Sequence, residues 1–141
     1  MTALKVTIRL QSAVTSDGDT QQTDQTLDGF LRTFDDYTEL SYREPSGEEG
    51  LGNTLTTVRF YRDTLELIRR GDYTCVLTIA VGIDRECLYQ TPFGALPLTT
   101  NATRYHAALS ACGGQADVCY TLKAGSDRSS HRLTFTVTPV A

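Results

Sequence analysis

Arg69 is the residue whose position most invites chemistry. It shares parity with Leu65 and Leu67 on a strand-like stretch and stands just before Gly71, so a permanent charge ends an otherwise greasy row. A guanidinium at the rim of a sheet or barrel needs partners. Glu44, the hydroxyls of Tyr42, Tyr89 and Thr91, or the carboxylate of a bound ligand would serve, which makes Arg69 the floor of an anion-recognising pocket. The competing reading is a plug, in which Arg69 stacks on Phe93 or Tyr89 and closes one end. The candidate ligand-binding set is therefore Tyr42, Arg69, Tyr89, Thr91 and Phe93.

Other reactive residue types form weaker constellations. Cys75 and Cys87 lie almost symmetrically about Gly82, and Cys112 and Cys119 about Gly113-Gly114, so each pair would face across a hairpin. Four cysteines allow three connectivities, but without a leader peptide a reducing cytosol keeps them as thiols. Zinc is not expected: there is no Cys-x-x-Cys, and His106 and His131 have no ligand spacing toward the cysteines. Neither histidine has a serine or cysteine nucleophile placed beside it, so both are read as surface side chains. Asp35-Asp36 and Glu48-Glu49 fall in turns, where carboxylates face water, and make a poor acid–base dyad. No catalytic residue, cofactor or metal is expected, and the chain is not read as an enzyme.

The elements that must position Arg69 are strands. Leu4, Val6, Ile8 and Leu10 alternate with Lys5, Thr7, Arg9 and Gln11, a period of two with one apolar face. Asp17-Gly18-Asp19 is a turn. The stretch from Thr20 to Thr33 is long and mostly polar, with Gly29 expected to mark a bulge. In Tyr37 to Glu44, Leu40 and Tyr42 share one face. Pro45 to Asn53 holds three glycines, a proline and two acids, and is expected to be the longest and most mobile loop. Strands follow at Thr54–Tyr61, around Leu65 and Leu67, and at Thr74–Val81. Tyr89-Gln90-Thr91-Pro92-Phe93-Gly94 reads as strand, corner, strand, since proline keeps its predecessor extended and glycine accepts positive φ. Pro97 fits only an edge, a strand start or a bulge. Alternation resumes around Tyr105 to Ala111, Val118 to Leu122, and Leu133 to Val137. No window carries a capped helical period, so about ten short strands in a barrel or sandwich are expected.

Composition agrees. At 141 residues the chain is the size of one domain, taken as 1–141, and its 21% charged and 40% hydrophobic content is that of an ordinary globule. No apolar run approaches the ~20 residues of a membrane helix. The net charge of −4 and scattered basic residues give no stripe for phosphates, so neither nucleic acid nor membrane is an expected partner. The start of the sequence enters alternation without an apolar leader, and a cytoplasmic location is expected.

Several blocks resemble a known family. Leu40-Ser41-Tyr42-Arg43-Glu44, the glycine-rich loop, Ile68-Arg69-Arg70-Gly71, the Tyr89–Gly94 run and the closing strand pair are similar to the YwiB-like bacterial family, DUF1934. The resemblance implies an all-β fold, a single antiparallel calycin/lipocalin-like β-barrel of roughly 8–10 strands from bacterial cytoplasm, with no established biochemical role. The four cysteines are not part of that resemblance.

Two functions of different kinds stay open. A barrel of about eight strands leaves room for side chains or one small molecule, so small inward residues would favour a ligand in the barrel mouth. Large inward residues would instead make a filled barrel that works through its surface as a structural or interaction module. A small molecule and a second copy of the chain are the partners to be considered. The thiol reading is directly testable. Purified from a reducing cytosol and denatured without reductant, the protein should take up four thiol-reactive labels, whereas two or none would reveal a disulfide.

Overall fold

A computed structural model describes residues 3–44 and 53–140, and among these residues there are ten strands and no helix. They are β1 (Leu4–Ser16), β2 (Asp19–Thr33), β3 (Thr38–Arg43), β4 (Thr54–Phe60), β5 (Thr64–Gly71), β6 (Cys75–Ala80), β7 (Arg85–Thr91), β8 (Gly94–Ser110), β9 (Gly113–Ala124) and β10 (Asp127–Pro139). The loop expected to be mobile falls, except for Asn53, outside the described residues.

Most turns join neighbouring strands in sequence, which forces antiparallel pairing around one sheet in the order β6-β5-β4-β3-β2-β1-β10-β9-β8-β7. Asp17 and Gly18 both take positive φ, at 53° and 82°, the pairing of a tight hairpin whose twist matches its strands. The two outermost strands of this order, β6 and β7, meet again and nearly close the wall. Thr74 and Gln90 exchange two backbone hydrogen bonds of 2.9 Å, and the Gly82 amide donates to the Ala102 carbonyl at 2.9 Å.

The strands are not uniformly short. β1, β2, β8, β9 and β10 run to 13, 15, 17, 12 and 13 residues, while β3 to β7 have six to eight. Sequence patterning sees where apolar residues alternate, and the long strands continue past the core as polar ribbons with no such signal. Pro97 stands opposite Leu88 on the part of β8 bordered by β7 alone, before pairing with β9 begins at Thr99. That is the edge setting the proline requires.

Period-two alternation sends one side chain in two inward. Val6 and Ile8, Leu31, Leu40 and Tyr42, Val58 and Phe60, Leu65 and Leu67, Leu77 and Ile79, Val118, and Phe135 and Val137 form one buried cluster. Phe60 on β4 meets Phe135 on β10 edge to face at 5.4 Å, although those strands are not neighbours. Large side chains therefore meet across the middle of the barrel and fill it. Fully burying each contributes roughly 1.5–3 kcal/mol.

Gly29 does not mark a bulge. The register of β1 with β2 runs without interruption from Leu4↔Leu31 to Ser16↔Asp19, and the irregularity in the wall lies between Ala102 and Arg104. Gly29 is instead an inward position with no room: an added Cβ would stand 2.6 Å from the Ser41 carbonyl oxygen and 2.7 Å from Ile8 Cδ1. Gly29→Ala should accordingly destabilise the fold by about 1–3 kcal/mol, measured by urea unfolding. Unchanged stability would mean that β3 moves away freely.

Candidate functional site

Inward parity carries β5 from Leu65 and Leu67 to Arg69, and Gly71 then turns the strand with φ at 130°. A side chain at Gly71 is blocked, because its Cβ would lie 1.9 Å from the Asn53 carbonyl oxygen. Register sets Arg69 beside Thr56 of β4 and Cys75 of β6, and Thr56 beside Tyr42 of β3. One inward row thus reads Tyr42, Thr56, Arg69, Cys75.

The guanidinium reaches past β6 to β7. Arg69 Nη1 donates to the Tyr89 hydroxyl at 2.8 Å, with the guanidinium carbon 5.8 Å from the Tyr89 ring centre. Tyr73 contacts the Tyr89 ring edge on, at 6.1 Å. Glu44, just past β3, supplies the counter-charge: its Oε1 lies 3.8 Å from Arg69 Nε and accepts a 2.6 Å hydrogen bond from the Thr56 hydroxyl. At 3.8 Å the Arg69–Glu44 contact is an ion pair without a hydrogen bond. Arg69 Nε is buried and has no hydrogen-bond partner among the described residues.

The structure brings Tyr42, Arg69 and Tyr89 together at this end of the barrel and leaves Thr91 and Phe93 out. The Thr91 hydroxyl donates to the Gly94 carbonyl at 3.0 Å and accepts from the Phe93 amide at 3.1 Å, which ties the β7–β8 turn. Phe93 projects from that turn with 93% of its surface exposed, so the ring against Arg69 is Tyr89.

Four further residues join the group. Tyr120 and His131 face each other in the β9–β10 register and stack at 4.8 Å, and the His131 Nε2 is 2.7 Å from the Ser129 hydroxyl. His131 is therefore a half-buried wall residue, unlike the exposed His106. Cys75 is buried and Cys87 half-buried, both as free thiols; Cys112 sits exposed at the β8–β9 turn, while Cys119 pairs in register with Arg104. The second cysteine pair consequently does not face across its hairpin. The turn, Ala111-Cys112, falls two residues earlier than the two glycines suggest.

Electrostatics leaves one cation and one carboxylate among neutral groups. Burial pushes the Tyr42 phenol above its ordinary range, with Glu44 adding to the effect and Arg69 opposing it. Tyr120 is pushed up to about 12 by burial, and Tyr89 is raised by burial against the opposing charge of Arg69. Burial raises Cys75, and burial with the neighbouring Cys75 raises Cys87 to about 11, so neither thiol is an activated nucleophile. Burial alone would lower Arg69, yet Tyr89, Glu44, Tyr42 and Cys75 hold it above its ordinary value, and it stays charged. Such a group can bind an anion; its phenols and thiols stay protonated, while His131, its pKa lowered, lies 2.7 Å from the Ser129 hydroxyl. Among the described residues no cluster of His, Cys, Asp and Glu could hold a metal ion.

At the opposite end a separate network lies on the wall. Glu39 takes Arg59 at 3.0 Å and Arg32 at 3.9 Å, and Arg59 lies 5.5 Å from the Tyr37 ring centre. Asp35 and Asp36 are exposed in the turn before Tyr37, as carboxylates facing water.

His131 gives the site a pH dependence. Burial first, and the Arg69 charge second, lower its pKa, so the unfolded chain binds the proton more readily than the folded one. Stability is complete above the ordinary value near 6.5 and is lost as pH falls through the lowered folded value. Between pH 7.5 and 5, urea unfolding of His131→Phe, which keeps a ring against Tyr120, should lose less stability than wild type. Equal losses would show that His131 is hydrated.

Known proteins place this arrangement in a family. The crystal structure of the YwiB protein from Bacillus subtilis superposes with a TM-score of 0.87, covering 99% of this chain and 94% of that one at 21% identity. That likeness concerns the fold. No curated protein matches the sequence significantly. Among the described residues no helix is long and apolar enough to cross a membrane. The sequence profile of a domain of unknown function, DUF1934, matches residues 8–134, and the chain belongs to that family.

Proposed function

We propose that the barrel binds a small carboxylate-bearing molecule at its Arg69 end and does not transform it. The observation that carries this reading is Arg69 Nε, a buried donor on a permanent cation, left without a hydrogen-bond partner among the described residues beside a carboxylate that already accepts from Thr56. A buried donor without a partner costs about 1–3 kcal/mol, which a planar anion could recover by accepting from it. The Tyr89 hydroxyl and ring pack against the same guanidinium, and the protonated thiols and phenols around it offer orientation without reactivity. One acid already faces the cation, so a monoanion suits the site better than a dianion. On this reading the chain is a non-catalytic, calycin-like binding barrel of the bacterial cytoplasm, with the ligand confined to one end because side chains fill the middle.

That same filling favours a second reading, in which the wall rather than the interior is the working part. Arg69 is then a plug against Tyr89. The two readings separate in a thermal melt. Benzoate at millimolar concentration should raise the melting temperature of wild type, as any ligand of the native state does. Arg69→Met, which keeps the aliphatic bulk, should melt near wild type and lose the benzoate response. If Arg69→Met falls by about 2 kcal/mol or more without ligand and wild type ignores benzoate, the plug reading stands and the pocket is wrong.

A further inference from the structure

The longest unpaired backbone in the wall belongs to β2. Asp19 to Asp28 pair with β1 alone, because β3 takes up the other side only from Gly29. Among the described residues no backbone group of this stretch bonds anywhere else. At ~3.3 Å per residue the open side is about 33 Å long. It is also regular: its register has no bulge and its sequence no proline. Sheet proteins ordinarily block such an edge with lysine, proline, a bulge or a covering segment. This edge carries Asp19, Asp24 and Asp28, and no lysine or arginine occurs between Leu10 and Leu31. Asp24 is held by Arg9 through bonds of 3.1 and 2.7 Å, while Asp19 and Asp28 form no ion pair among the described residues.

We propose that this edge takes up an extended, basic segment of a partner protein as an eleventh strand. Backbone hydrogen bonds would supply the affinity, and lysine or arginine side chains opposite Asp24 and Asp28 on the outer face, with one more opposite Asp19 on the other face, would supply the selection. A second copy of the chain is a poor occupant. When β2 pairs antiparallel with itself about Thr23 and Asp24, Asp19 lands opposite Asp28 twice, and like charges directly opposed weaken a strand pair. The outer face beside the edge also has room for a guest's side chains. A polar groove of ≈ 690 Å³ runs there across β2, β1, β10 and β9, lined in part by Gln22, Asp24 and Asp117, the last paired with Arg132 at 3.9 Å on the far side from the edge.

The test uses the full chain and a capped nonapeptide of alternating lysine and valine. Fluorescence anisotropy should show binding that weakens with salt, and hydrogen exchange should show added protection confined to Asp19–Asp28. The double variant Asp19→Lys with Asp28→Lys should bind at least about tenfold more weakly, while leaving the melting temperature near that of wild type because both sites are exposed. Of two peptides N-methylated at alternate residues, odd or even, one keeps the charge but loses every amide donor facing β2, and that methylated peptide should fail to protect β2. Equal binding by the methylated peptide would reduce the contact to charge alone and overturn the proposal. So would protection elsewhere, or a peptide-free dimer with β2 already protected.

Discussion

Closing one antiparallel wall around a filled middle is the constraint from which the other features follow. Ten strands taken almost in sequence order can close only if β6 and β7, the ends of the sheet, meet. Closure staggers strands, so some of them overshoot the core. The short strands β3 to β7 build little beyond the barrel, whereas β1, β2, β8, β9 and β10 extend past it as polar ribbons. The Phe60–Phe135 contact fixes how far inward opposite walls can come.

Arg69 lies where that filling gives out. Its neighbours along β5 are Leu65 and Leu67, and one step further the inward row is polar: Tyr42, Thr56, Arg69 and Cys75. A charge here is tolerated because Glu44 and Tyr89 answer it, and tyrosines rather than aliphatics close the surrounding walls. The compensation is incomplete at Nε. The cation is held among neutral phenols and protonated thiols.

Much of this was legible in the residues themselves. Alternation in Leu4–Leu10 and Leu133–Val137 reports half-buried strands directly, and the parity of Arg69 with Leu65 and Leu67 places it inward correctly. The partners Tyr42, Glu44 and Tyr89 follow from the same count. Thr91 and Phe93 do not join them, because parity says which face a residue takes and not whether the wall still encloses anything at that height. Tyr120 lies on the apolar face of Val118 and Leu122, whereas His131, its register partner across the Gly125 turn, precedes the Leu133–Val137 alternation and is flanked by Ser130 and Arg132, so nothing marks it in the sequence. Gly29 shows the converse. Its glycine signals crowding from Ser41 and Ile8, partners far away in sequence, and a local reading of a strand glycine gives a bulge instead.

The pairing of β1 with β10, from Val6 opposite Pro139 to Thr15 opposite Ser130, bears on how the protein is made. On the ribosome β1 emerges first and its second neighbour last, so during nearly all of synthesis the first strand offers an open side with Val6, Ile8 and Leu10 on its apolar face. The hairpins from β2 to β9 can zip in order as they appear, but the ring cannot join until the final strand is released. Contacts this distant in the chain make the joining step slow. An apolar strand face with one open side therefore persists until β10 follows, and closing the ring removes it.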